Sequence, residues 1–148
     1  KGGKHSQKGI INLTILNKLM SDNYFRKKKN KSLDRNYFRL NPFMKLNFND
    51  ACATISAVTA ISIIKEANRF NARYLIVSGG GSKNKYVINL MNETFKGKIL
   101  TADDLNLNSD FIESQAFAYL GIRRMKNLSI SFPSTTGVKY SVTGGKIN

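Results

Sequence analysis

The longest run of regularly spaced apolar positions lies between Asp50 and Phe70, where Ala53, Ala57, Ala60, Ile61, Ile64 and Ala67 recur at helical spacing. That spacing predicts one long helix whose small-residue face lets it lie close against a sheet. Asn47 or Asn49 is placed to cap its start, and Asn71-Ala72-Arg73 ends it. Tyr74-Leu75-Ile76-Val77 then forms a short β-favouring run, followed by Ser78-Gly79-Gly80-Gly81-Ser82-Lys83-Asn84. From 84 to 93 the pattern turns helical again through Val87, Ile88, Leu90 and Met91. Gly97-Lys98-Ile99-Leu100 reads as a second strand, so strand, helix and strand predict a β-α-β unit.

The flanks are less regular. Residues 9–20 read as an amphipathic helix with Ile11, Leu13, Leu16 and Leu19/Met20 on one stripe, broken by Ser21-Asp22-Asn23. Asn36 to Leu40 predicts a short helix stopped by Asn41-Pro42. After a polar loop at 101–108, Ser109 or Asp110 is placed to cap a helix running to Arg124, with Ile112, Ala116, Phe117, Leu120 and Ile122 apolar. Asn127 to Ser131 reads as a turn, and Phe132 to Asn148 as a glycine-containing extended tail.

The 148 residues are 41% hydrophobic, enough for the core of one domain, and no apolar run is long enough to cross a membrane. The chain opens Lys-Gly-Gly-Lys-His without Met or an apolar leader, which reads as a fragment. A single cysteine, Cys52, rules out an intrachain disulfide or a cysteine-based zinc site. It lies in the long helix pattern, where a buried, inert thiol and a cytoplasmic location are expected. The net charge of +15 raises nucleic-acid binding as an alternative. The basic residues are spread along the chain, however, and only Arg26-Lys27-Lys28-Lys29 with Lys31 is dense. No aromatic-basic motif of the RNA-binding kind accompanies them.

Candidate chemistry concentrates at the glycine turn. A strand, a glycine turn and a helix bring backbone N–H groups toward a phosphate or a ribose. The turn lacks the Gly-Lys-Ser/Thr of a P-loop, and Asn84 stands where a dinucleotide fingerprint has its third glycine. A plain β–α bend is the competing reading. Asp110 and Glu113 lie three apart, suited either to complementing a helix N-terminus or to accepting hydrogen bonds from ligand hydroxyls. His5 has no partner at triad or metal spacing, so no catalytic set and no metal site emerge.

Five collinear segments resemble the anhydro-N-acetylmuramic acid kinase family, sugar kinases of the actin/Hsp70/hexokinase superfamily. They are Lys31-Ser32-Leu33-Asp34-Arg35 with Phe38, Asp50 to Ala60, Val77 to Asn84, Asp110 to Leu120, and Phe132 to Gly137. Leu33-Asp34 stand where the family has Thr-Gly, and Ser78 where it has Cys. The resemblance implies an α/β fold, a ribonuclease H-like (actin/hexokinase-type) ATPase lobe rich in helix with few strands. It implies that residues 1–148 are a single C-terminal nucleotide-binding lobe of a two-lobed kinase. The N-terminal half and the catalytic aspartate would then lie upstream of Lys1, and this stretch alone would not turn over.

The implied reaction is ATP-dependent phosphorylation of 1,6-anhydro-N-acetylmuramic acid, with opening of the anhydro ring, in cell-wall recycling. ATP and Mg2+ are the implied cofactors, and a homodimer is implied, without nucleic-acid or membrane partners. Gly79, Gly80, Gly81, Ser82 and Asn84 would hold the nucleotide. Glu113, Lys31 and Arg35 would contact substrate. Another sugar kinase of the superfamily and a basic nucleic-acid-binding module are the alternatives.

Overall fold

The structure, a computed structural model, describes residues 2–27, 31–34 and 36–146. Its centre is the long helix that the alanine spacing predicts, which runs Phe48–Arg69 and is here α3, after α1 (Leu13–Met20) and α2 (Asn23–Arg26). Asn47 is the N-cap, its side chain accepting from the Asp50 N–H at 3.0 Å. Ala53, Ala57 and Ala60 are almost wholly removed from solvent, and Ile64 and Ala67 are buried. Ile61 of the same predicted face is only half-buried.

Small side chains let α4 (Lys85–Thr94) approach closely, and the two helices share the main core. That core joins Ala60, Ile64 and Ala67 to Val87, Met91 and Phe95. Leu75, Val77 and Ile99 reach it from the sheet side. The sheet is β1 (Tyr74–Val77) paired in parallel with β2 (Lys98–Thr101), Tyr74 opposite Lys98 and Val77 opposite Thr101. The β-α-β unit read from the sequence is therefore present, in a helix-rich α/β fold. Tyr74 and Ile76, on the face of the small sheet turned from this core, are exposed.

Residues 2–12 form a strap across α3 rather than the start of a helix. Asn12 caps α1, its side chain accepting from Ile15 N–H, so the helix predicted from residue 9 begins only at Leu13. Upstream, the backbone bonds to α3 instead. Ile10 N–H donates to Asp50 (2.7 Å) and Asn12 N–H to Thr54 Oγ1 (3.0 Å). Ser6 is buried, its hydroxyl 2.9 Å from that of Ser56, and it donates to the Cys52 carbonyl. Cys52 itself is half-buried, not buried as its pattern suggested. His5 is exposed and rests edge-on against Phe48.

Three other expectations are corrected. Residues 36–40 do not form a helix: Asp34 folds back to accept from Asn36 N–H, and Pro42 instead opens a 3-10 turn, Asn41–Phe43, that buries Phe43. The helix expected from Ser109 or Asp110 is α5 (Ile112–Met125), and neither residue caps it; Phe111 occupies that position with no side-chain bond. The tail is not uniformly extended. Pro133–Thr136 forms a single helical turn, α6, and Ser131 bridges to Val142. No described helix is long and apolar enough to cross a membrane.

Candidate functional site

The chain leaves β1 and turns at Gly79 with φ 73° and ψ −172°, a region that side chains with a Cβ avoid. A 3-10 turn, Gly80–Lys83, follows, and then α4. The Ser82 hydroxyl folds back to donate to the Gly79 carbonyl at 2.7 Å, and Asn84 caps α4 by accepting from Val87 N–H. Local geometry therefore demands glycine at 79. Nothing comparable acts at 80 and 81: neither has positive φ, and a Cβ on either would meet no atom within 4 Å.

The start of α4 is less open than the strand-turn-helix pattern suggests. The backbone of Gly3 in the strap lies against Asn84 and Tyr86 so closely that a side chain at position 3 would collide with both. The open side of the turn faces α5. There Ser78, Gly79 and Gly80 form one wall of a cleft of about 350 Å³, and Ser109, Asp110 and Glu113 stand on the other. Glu113 is exposed in the first turn of α5, and among the described residues none donates a side-chain hydrogen bond to it.

The predicted nucleotide and substrate residues divide into groups. Gly79, Gly80 and Glu113 share this cleft. Gly81 and Asn84 line a neighbouring hollow of about 270 Å³ with Ile55, Thr59, Val77 and Met91. Ser82 is tied into the turn itself. Lys31 is elsewhere, in an apolar cleft of about 480 Å³ beside Tyr24, Phe25, Ile63, Phe70 and Leu75. Its ammonium is nearly buried and is paired with Glu66, which also accepts from Arg69 at 2.8 Å. Arg35, and Lys28 and Lys29 of the basic block, lie outside the described residues. The Lys31 cleft is larger but presents mainly apolar side chains around the Glu66 carboxylate shared by Lys31 and Arg69, so it offers less to a polar ligand than the cleft at the glycine turn.

Sequence reasoning missed the pairings that hold this geometry. Lys83 Nζ, at the end of the glycine turn, lies 2.5 and 2.7 Å from the two carboxylate oxygens of Asp110. Ser109, expected at a helix cap, is buried and donates its hydroxyl to Asp103 at 2.6 Å. The Ser109 hydroxyl, then its N–H, hold the Asp103 carboxyl below the usual carboxylate range, and the Lys83 charge adds to this. Asp104 is lowered by the N–H and hydroxyl of Thr101. For Glu66, partial burial pushes upward, but the hydrogen bonds and charges of Lys31 and Arg69 outweigh it and leave the carboxyl low. Partners 27 and 35 residues apart leave no local spacing to read. Among the described residues no cluster of three or more His, Cys, Asp or Glu is arranged to hold a metal ion.

Comparison with known proteins agrees along the whole chain. The family model described as "Anhydro-N-acetylmuramic acid kinase" matches residues 1–148. Curated proteins of that name are similar. The one from Zymomonas mobilis is 35% identical over 150 residues, covering 100% of this chain and 41% of its own length. The one from Phenylobacterium zucineum is 36% identical, covering 99% of this chain and 40% of its own length. The one from Caulobacter vibrioides is 37% identical, covering 98% and 40%. The chain thus spans about 40% of the length of these relatives.

Proposed function

The chain belongs to the anhydro-N-acetylmuramic acid kinase family, and on that premise we propose that it supplies the nucleotide side of an ATP-dependent sugar kinase. In this reading residues 1–148 are one C-terminal lobe with a ribonuclease H-like fold, acting in the cytoplasm within a homodimer. The substrate is 1,6-anhydro-N-acetylmuramic acid. Water adds at C1 as the C1–O6 bond breaks, giving up one proton to a base supplied by the rest of the enzyme, O6 takes the γ-phosphoryl group of ATP, and ADP leaves. No carboxylate of this chain is assigned as the base that activates the water.

The observation that carries the reading is the cleft between the glycine turn and α5. Open space at Gly80 and Gly81 lets a ligand come within contact of the backbone, and glycine there has no local structural reason. In phosphoryl transfer the protein chiefly positions and neutralises. Gly79, Gly80 and Gly81 would contact the adenosine phosphate side, and Ser82 and Asn84 would fix the turn's shape. Glu113 would accept from a ribose or sugar hydroxyl. Lys31, whose ammonium has donors beyond the one that Glu66 engages, and Arg35 would contact the substrate. Mg2+ would arrive on the nucleotide phosphates, since these residues make no cage of their own.

The test is titration of the chain with a non-hydrolysable ATP analogue. Saturable binding that Gly80→Asp abolishes, with the melting temperature unchanged, is the expected result. Absence of saturable binding, or equal binding by the variant, overturns the reading. Salt-sensitive RNA binding in its place would favour the basic-module alternative.

A further inference from the structure

We infer that Lys83 and Asp110 form a clasp that sets the width of the cleft between the glycine turn and α5, making them positioning residues for the ligand there. The pair joins the last residue of the Gly80–Lys83 turn to the lead-in of α5, across 27 residues of sequence. Both oxygens of Asp110 are engaged, at 2.5 and 2.7 Å.

The rest of the α5 lead-in is tied mainly to its own loop. Ser109 bonds to Asp103, Asp110 N–H to Asn108, and Asp104 to Thr101 at the end of β2. α5 itself contributes no buried residue and has no side-chain N-cap. Among the described residues, the Lys83–Asp110 pair is therefore the side-chain hydrogen bond that ties the end of the glycine turn to the α5 lead-in, with Asp110 lining the cleft and Lys83 beside it rather than on its wall.

Lys83 also has an electrostatic effect. Asp110 and Glu113 both line the cleft, and two free carboxylates would repel a polyphosphate. Pairing neutralises one of them. The clasp thus holds the wall in place and lowers its negative charge. Both partners are more than half exposed, so the pair acts weakly and is sensitive to salt.

The effect on ligand affinity rests on the nucleotide reading, whereas the clasp itself does not. The experiment therefore has two readouts on the 148-residue chain, with K83M, D110N and the charge swap K83D/D110K. Without ligand, amide hydrogen exchange across 79–83 and 109–116 should quicken about two- to fivefold in each single variant, the scale of an exposed pair. It should return toward the parent in the swap, and high salt should bring the parent toward K83M. Unchanged exchange in both single variants, or no recovery in the swap, overturns the clasp.

With a non-hydrolysable ATP analogue, K83M should weaken binding about two- to fivefold, D110N less, and the swap should bind within about twofold of the parent. Tighter binding by D110N together with failure of the swap would instead make Lys83 a direct phosphate contact and overturn the positioning role. If the parent binds no analogue, the nucleotide reading and the proposed effect on affinity both fail, while hydrogen exchange still decides the clasp.

Discussion

α3 and α5 are both well-formed helices, yet they are held in opposite ways. α3 buries seven residues, among them four alanines, against the strap and α4. α5 buries none, and Phe117, Tyr119, Ile122 and Met125 on it are all exposed. The body of the molecule is thus fixed by apolar packing, and one wall of the candidate cleft by a few polar ties. Substitutions in the body should act on stability. Changes along α5 should act on the site, or on nothing measurable in this chain.

The strongest way to break the body is at its largest fully buried side chain among the described residues. Met91 is fully buried between α3 and the sheet. Met91→Ala should cost roughly 2–5 kcal/mol, read as a lowered urea midpoint with an unchanged slope.

The glycine turn lies at the junction of the two regimes and should show both effects. Gly79→Ala forces a Cβ into a conformation that costs about 1–3 kcal/mol. It should also weaken binding of an ATP analogue, because relieving the strain means reshaping the turn. Unchanged stability with unchanged binding would show that the turn relaxes freely.

Acid should separate the two regions without mutation. The Asp103 and Asp104 carboxyls lie below their ordinary value of 3.8 in the folded chain. A depressed carboxyl contributes stability above its ordinary value and loses it as pH falls through the depressed one. Below about pH 4, amides of 101–111 should therefore lose protection while those of α4 keep theirs, and in α3 only the turn around Glu66, whose carboxyl is also low, should follow them. Simultaneous loss in both would mean that the polar ties and the apolar body are one cooperative unit.

The smallest effect should come from the outer face of α5. Phe117 is 66% exposed, and Phe117→Ser should change stability by no more than about 0.5 kcal/mol in thermal melts. A larger loss would show that α5 packs more tightly than its exposure indicates.

The same division explains what the sequence made legible. α3 with its Asn47 cap, and β1, α4 and β2 in order, follow from periodic apolar positions and a nearby capping side chain, which are local signals. The strap escapes any local pattern because Ile10 and Asn12 use their N–H groups on Asp50 and Thr54, about 40 residues away. Ser109 has the composition of a cap, but its hydroxyl finds Asp103 first. Glycine residues 79–81 and Glu113 were picked out from pattern and resemblance, and the structure brings Gly79, Gly80 and Glu113 to one cleft. That Lys31 stands apart, with its charge already answered by Glu66, was not written in any spacing.

Gly80 and Gly81 carry a last consequence. Neither needs a left-handed backbone, and both have room for a methyl group. Alanine at such a position narrows the unfolded ensemble and gains about 0.4–1 kcal/mol. A selection for thermal endurance alone should therefore drift toward alanine at these two sites, while one that requires binding of an ATP analogue should, on the proposed reading, hold them at glycine. The distance between the two outcomes would measure how much stability the chain forgoes for its site.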